Sequence, residues 1–108
     1  MPYDFMQATF SNLQSSNYNM PTVHLVIKGK VQGVFYRASA KKAAVQLTIT
    51  GWIRNKENGD VEALATGNTI QLNEFIGWCR LGPEGAKVTA VVETWQDETV
   101  FDSFIVMH

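Results

Sequence analysis

The hydrophobic period of the chain changes from two to about 3.6 across one short glycine-bearing segment, and this switch limits the possible folds more than any other feature. In TVHLVIK, residues 22–28, Val23, Leu25 and Ile27 alternate with His24, Val26 and Lys28, as in a strand with one buried face. GKVQGV then interrupts the alternation. From Tyr36 onward, Ala40, Ala43, Ala44 and Leu47 recur at i+4, i+7, i+8 and i+11, an apolar helical stripe that leaves Lys41 and Lys42 outside it. A helix with a single such stripe must lay it against something, and the strand just before it is the nearest candidate.

The rest of the chain repeats the theme. TITGWIRN and GDVEALAT read as two strands joined across Lys56-Glu57-Asn58-Gly59, where both residues of the Asn-Gly step tolerate positive φ. Leu72, Phe75, Ile76 and Cys79 mark a second amphipathic helix, with Asn68 or Thr69 as its cap and Gly82-Pro83 as its stop. KVTAVVETWQ reads as a fourth strand and VFDSFIVM as a short fifth beside it. The order β-α-β-β-α-β plus a terminal strand predicts an α+β, ferredoxin-like sandwich: a mostly antiparallel sheet of four to five strands with both helices on one face. An apolar fraction of 45% suffices for one core of this size, so residues 21–108 are expected to form one domain.

Residues 1–20, MPYDFMQATFSNLQSSNYNM, contain one charge, many Asn, Gln and Ser, and no sustained period. They are expected to form a disordered tail outside the fold. They lack the basic start and apolar run of a secretory signal. Met20 is a candidate natural start, in which case deleting residues 1–19 leaves folding and activity unchanged. No apolar run approaches the roughly 20 residues of a membrane span, so no membrane association is expected. The single cysteine, Cys79, has no partner for a disulfide or a C-x-x-C site, which favours a reducing compartment and a cytoplasmic location.

Charge is divided unevenly. Residues 21–56 hold seven of the nine basic side chains and no acid, whereas residues 57–108 hold nine of the ten acids against Arg80 and Lys87. A basic half attracts anions, from a small phosphate to a nucleic acid backbone, but an acidic partner half can equally balance it within the fold. The loop GKVQGVFYR sharpens the question. Glycines between a strand and a helix can turn successive N–H groups toward one point at the positive end of the helix, and Arg37 adds a planar fork of donors. Glycine also serves purely conformational needs in such turns, so spacing alone leaves both readings open.

GKVQGVFYR followed by GWIRNKENGDVEALATG resembles the two signatures of the acylphosphatase family, small enzymes that hydrolyse the carboxyl-phosphate bond of acyl phosphates. Arg37 and Asn55 stand eighteen residues apart as in the family pattern, Gly51-Trp52 precedes the asparagine, and Gly59, Val61 and Gly67 follow in register. The similarity continues through LGPEGAKV and the closing FDSFIV, covering residues 22–107. Tyr36 stands where the family usually has phenylalanine, and Ile53 where valine is commoner; both keep bulk and shape.

The resemblance implies that the backbone amides of Gln32, Gly33, Val34, Phe35 and Tyr36, together with Arg37, cradle the phosphoryl group. It further implies that the Asn55 side chain positions the attacking water. Electrostatic placement of the phosphoryl oxygens is what such a reaction needs most. An amide can orient water through its oxygen and nitrogen without acting as a base, so the water's proton is expected to pass to the substrate. The implied substrate is a small acyl phosphate and the implied product inorganic phosphate, with no cofactor, no metal and a monomeric protein.

Other chemistry-bearing residues have plainer explanations. His24 and His108 lie at opposite ends of the chain without metal-ligand spacing, which fits surface or edge roles. Cys79 lies on the second helical stripe with no histidine placed to activate it, so it is expected in the core. Trp52 and Trp95 are expected to pack on the sheet and Trp78, off the stripe, to be partly exposed. Glu57, Asp60 and Glu62, beside basic neighbours at a hairpin, are expected to be solvated. The rival function is a non-catalytic anion- or nucleic-acid-binding module, since RNA-recognition domains share this element order. Those use aromatics on the third strand, and DVEALAT has none. A domain of this fold that has lost hydrolysis would not be expected to keep both Arg37 and Asn55.

Overall fold

The computed structural model describes residues 20–108; residues 1–19, expected to form a tail, lie outside the described residues. The elements are β1 (Thr22–Lys30), α1 (Tyr36–Gln46), β2 (Thr50–Asn55), β3 (Val61–Thr66), α2 (Thr69–Leu81), β4 (Lys87–Gln96) and β5 (Phe104–Val106). They build a five-stranded sheet in the order β4-β1-β3-β2-β5, antiparallel except where β5 runs parallel to β2.

The alternating residues behave as their period requires. Val23, Leu25 and Ile27 are fully buried, as are Ile53, Val61, Ala63 and Ala65 on the same face of neighbouring strands. Against this face lie Tyr36, Ala40 and Ala44 of α1 and Leu72, Phe75, Ile76 and Cys79 of α2. Phe75 meets Phe104 of β5 edge to face, with centroids 5.9 Å apart. A fully buried phenylalanine contributes about 1.5–3 kcal/mol, so this contact helps fix where the last strand goes. Helix α2 starts at Asn68, whose side chain accepts from the Gln71 N–H at 2.8 Å, and stops at Gly82, with φ 70°. Among the described residues no helix is long and apolar enough to cross a membrane.

Three local expectations need correction. First, β5 does not lie beside β4 but on the opposite edge, against β2. Gln96 at the end of β4 is level with Thr22, and Thr22 and Thr50 are both level with Thr66, so β4 ends where β2 begins. Residues 97–103 cross that end of the sheet. Thr99 pins the crossing: its N–H donates to Thr22 Oγ1 at 2.7 Å, and its carbonyl accepts from Thr66 Oγ1 at 2.7 Å. The chain then enters alongside β2 in the same direction, which brings Phe104 into the core.

Second, β2 begins at Thr50, because Thr48 turns the chain out of α1 with φ 55°. Third, the β2–β3 turn uses positive φ at Gly59 alone (97°); Asn58 stays at negative φ and its side-chain oxygen accepts from the Asp60 N–H. The Gly59 N–H donates to the Lys56 carbonyl and the Lys56 N–H to the Asp60 carbonyl, a three-residue loop with one left-handed position.

Candidate active site

The segment between β1 and α1 folds as a run of alternating backbone hand. Gly33 has φ 77° and Phe35 φ 60°, with Val34 between them at negative φ. This alternation directs successive N–H groups into one concavity. Phe35 pays for the left-handed conformation, about 1–2 kcal/mol for a residue with a Cβ, although its side chain is 84% exposed and gains no core packing there. The geometry of the loop therefore answers to its backbone groups. Helix α1 begins directly after Phe35 with no side-chain cap and no acid in its first turn, so the partial positive charge of its N-terminus faces the same concavity unneutralised.

Arg37 and Asn55 border this concavity from different elements. Arg37, in the first turn of α1, donates from Nη1 to the Met107 carbonyl at 3.0 Å, which holds the guanidinium beside the end of β5. Asn55 is the last residue of β2 and follows the alternation of Gly51 and Ile53 toward the helical face. A cavity of about 290 Å³ is lined by Gln32, Gly33, Phe35, Tyr36, Arg37 and Asn55, together with Val31, Ala38, Val106 and His108. Of the residues expected at the site, only Val34 does not line it; its side chain packs half-buried against the core.

Sequence reasoning missed two contributors. The Gln32 side-chain amide donates to the carbonyls of both Lys56 and Asp60 at 2.8 Å, joining the loop to the β2–β3 turn that follows Asn55. A glutamine in a loop whose neighbours are apolar or glycine was the available signal. His108, expected to have an ordinary surface role, borders the cavity.

Glu62 is not solvated as expected. It is buried on the sheet face away from the helices, where it accepts from Arg54 Nε at 2.7 Å and lies 2.6 Å from His24 Nε2. Burial acts to raise its pKa, but the hydrogen bonds from His24 and Arg54 outweigh that and hold the carboxyl below its usual range. His24 is thereby engaged on a different face from the cavity. Asp60 is half-buried and pairs with Lys28 at 3.0 Å, so two of the ion pairs join the basic half of the chain to the acidic half.

Trp52 stacks under the Arg54 guanidinium at 5.3 Å, and Trp78, half-buried, packs on Tyr36 at 5.3 Å. Trp95 departs from expectation: on the edge strand β4 it is 40% exposed, with Nε1 donating to Glu93. Cys79 is fully buried, and desolvation pushes its thiol up to about 12, which suits a core side chain and not a nucleophile.

A family model described as Acylphosphatase matches residues 23–106. A curated acylphosphatase of Syntrophus aciditrophicus is 45% identical over 92 residues, covering 82% of this chain and 94% of that protein. One from Marinobacter nauticus is 50% identical over 68 residues, covering 63% of this chain and 74% of its own. Among solved structures, an acylphosphatase from Coxiella burnetii superposes with a TM-score of 0.80 at 36% identity, covering 83% of this chain and 95% of that one. The acylphosphatase from Bacillus subtilis gives a TM-score of 0.78 at 27% identity, covering 82% and 100%. By sequence along nearly the whole described chain, and by backbone, this protein belongs to the acylphosphatase family.

Proposed function

We propose that the cavity between the β1–α1 loop and Asn55 is where this enzyme hydrolyses acyl phosphates to a carboxylate and inorganic phosphate. The observation that carries the assignment is the alternating backbone at Gly33, Val34 and Phe35, opening into an uncapped helix N-terminus with Arg37 at its rim. The loop amides of residues 32–36 and the Arg37 guanidinium hold the phosphoryl oxygens and offset their charge as the transition state forms.

Asn55 orients a water toward phosphorus. The new O–P bond forms as the bond from phosphorus to the acyl oxygen breaks, and the carboxylate leaves with the electron pair. The water's proton passes to a phosphoryl oxygen. His24 takes no part, being paired with Glu62 on the other face of the sheet. A small-molecule substrate, a monomeric protein and a cytoplasmic location complete the reading, the last supported by a free cysteine that is buried and unpaired.

The test is hydrolysis of benzoyl phosphate with a chelator present. Arg37→Ala and Asn55→Ala are each expected to lower kcat/KM by roughly 10²-fold or more while circular dichroism stays unchanged. Wild-type levels in either variant would remove that residue from the mechanism. No hydrolysis by the wild type, with phosphate still bound, would leave an anion-binding module. A pH–rate profile that shows an enzyme base in the wild type and loses it in His108→Gln would move the proton to His108.

A further inference from the structure

A second depression, about 540 Å³, lies between α1 and β5, and its walls are almost wholly carbon: Ala38, Val45, Val106 and the stems of Lys41 and Lys42, with Gln46 at one end. It adjoins the phosphate cavity, and Ala38 and Val106 line both. Val45 is 56% exposed there, on the side of α1 turned away from the core, and packing among the described residues does not account for it.

A third depression, about 530 Å³, adjoins the phosphate cavity on the other side through Asn55 and His108. Its walls are polar and charged, including Arg54, Lys56 and Glu57. The two openings therefore differ in chemistry and in which end of the cavity they extend.

The direction of displacement chooses between them. Attack and departure at phosphorus are in line, so the leaving acyl oxygen lies opposite the attacking water. Resting on the assignment above, with the water at Asn55, the opening that contains Asn55 is the water's side. The acyl group must then extend past Ala38 and Val106. We infer that the groove of Ala38, Val45 and Val106 is an acyl-binding subsite, and that the enzyme favours acyl phosphates with an extended apolar acyl group over acetyl phosphate. At the boundary between cavity and groove, Ala38 contributes only a methyl.

Methylenes entering a carbon-walled groove leave water, and each gains part of the free energy of full burial. The groove is open on one side, so roughly a 1.8-fold gain per methylene is appropriate, or about 10-fold in kcat/KM over the added methylenes of hexanoyl relative to acetyl phosphate. The experiment measures this ratio for the wild type, Val45→Asp, Ala38→Leu and Lys56→Ala. Val45 and Ala38 are exposed helical positions and both replacements leave the core untouched.

A ratio of about 10 in the wild type that falls to about 1–2 in Val45→Asp and in Ala38→Leu, but persists in Lys56→Ala, is the expected result. A wild-type ratio near 1 overturns the subsite, as does a ratio that Val45→Asp and Ala38→Leu leave unchanged. A ratio that responds only to Lys56→Ala places the acyl group on the Asn55 side and also overturns it. Hydrolysis of neither substrate sinks the acyl phosphate assignment itself, an outcome distinct from acetyl phosphate turnover without chain-length preference.

Discussion

Gln32 and Asp60 belong to different connections of the fold, yet the Gln32 side-chain nitrogen donates to the Asp60 carbonyl at 2.8 Å and to the Lys56 carbonyl at the same distance. One NH₂ group thus spends both hydrogens on the turn that follows Asn55. This side chain ties the loop that presents the amides directly to the turn beside the strand end that presents Asn55.

Gln32→Ala is therefore expected to act on rate as well as stability. Both carbonyls keep a backbone donor, Gly59 for Lys56 and Lys56 for Asp60, so the stability loss is modest, about 1–2 kcal/mol. The spacing between loop and Asn55 loosens, and kcat for benzoyl phosphate falls about 10-fold. Gln32→Glu would do worse, since a carboxylate there faces two carbonyl oxygens and adds negative charge beside the proposed phosphate cradle. Urea titration and steady-state kinetics on both variants check this; full kcat in Gln32→Ala would reduce the bridge to a purely structural role.

The hydroxyl of Tyr36 has a specific task. It donates to the Cys79 carbonyl at 2.7 Å. Four residues beyond Cys79 stands Pro83, which has no N–H, so the helical partner of that carbonyl is missing. Burial, first, then the proximity of Cys79, raise the phenol far above its ordinary pKa, which keeps it a donor. Tyr36→Phe leaves a buried carbonyl unsatisfied and is expected to cost about 1–3 kcal/mol, read as a lower urea midpoint at constant m-value. An unchanged midpoint would mean that another donor serves Cys79.

What could be read from the sequence was local. Val23, Leu25 and Ile27, or Leu72, Phe75, Ile76 and Cys79, declare their elements by spacing within a few residues, and β4 spans the ten residues of KVTAVVETWQ. Arg37 and Asn55 could be found because each sits in a recognisable motif, and the fold does bring both to one cavity. The edge that β5 joins depends on Thr22, Thr66 and Thr99, which meet only once three distant segments are assembled. The Gln32 bridge and the burial of Glu62 are hidden for the same reason: Glu62 follows a hairpin turn in sequence, while the His24 beside it lies 38 residues earlier.

The position of Glu62 has a consequence in acid. Its carboxyl titrates below 4.5 in the folded protein because the bonds to His24 and Arg54 prevail over the cost of burial, whereas in the unfolded chain it keeps its ordinary value. The unfolded state therefore takes up the proton first as pH falls. Glu62 contributes stability that is fully present above about pH 4.5 and disappears as pH drops through the lower folded value. Glu62→Gln removes that titration and weakens both hydrogen bonds, so at pH 7 it is expected to be less stable by about 1–2 kcal/mol, with the partly exposed Arg54 limiting the loss. Thermal melts of wild type and Glu62→Gln from pH 7 to pH 2.5 should show a Tm gap that is constant down to about pH 4.5 and then closes. A gap that stays constant to the lowest pH would mean that the folded carboxyl titrates no lower than a free one, and the acid sensitivity would have to be sought among the other carboxylates.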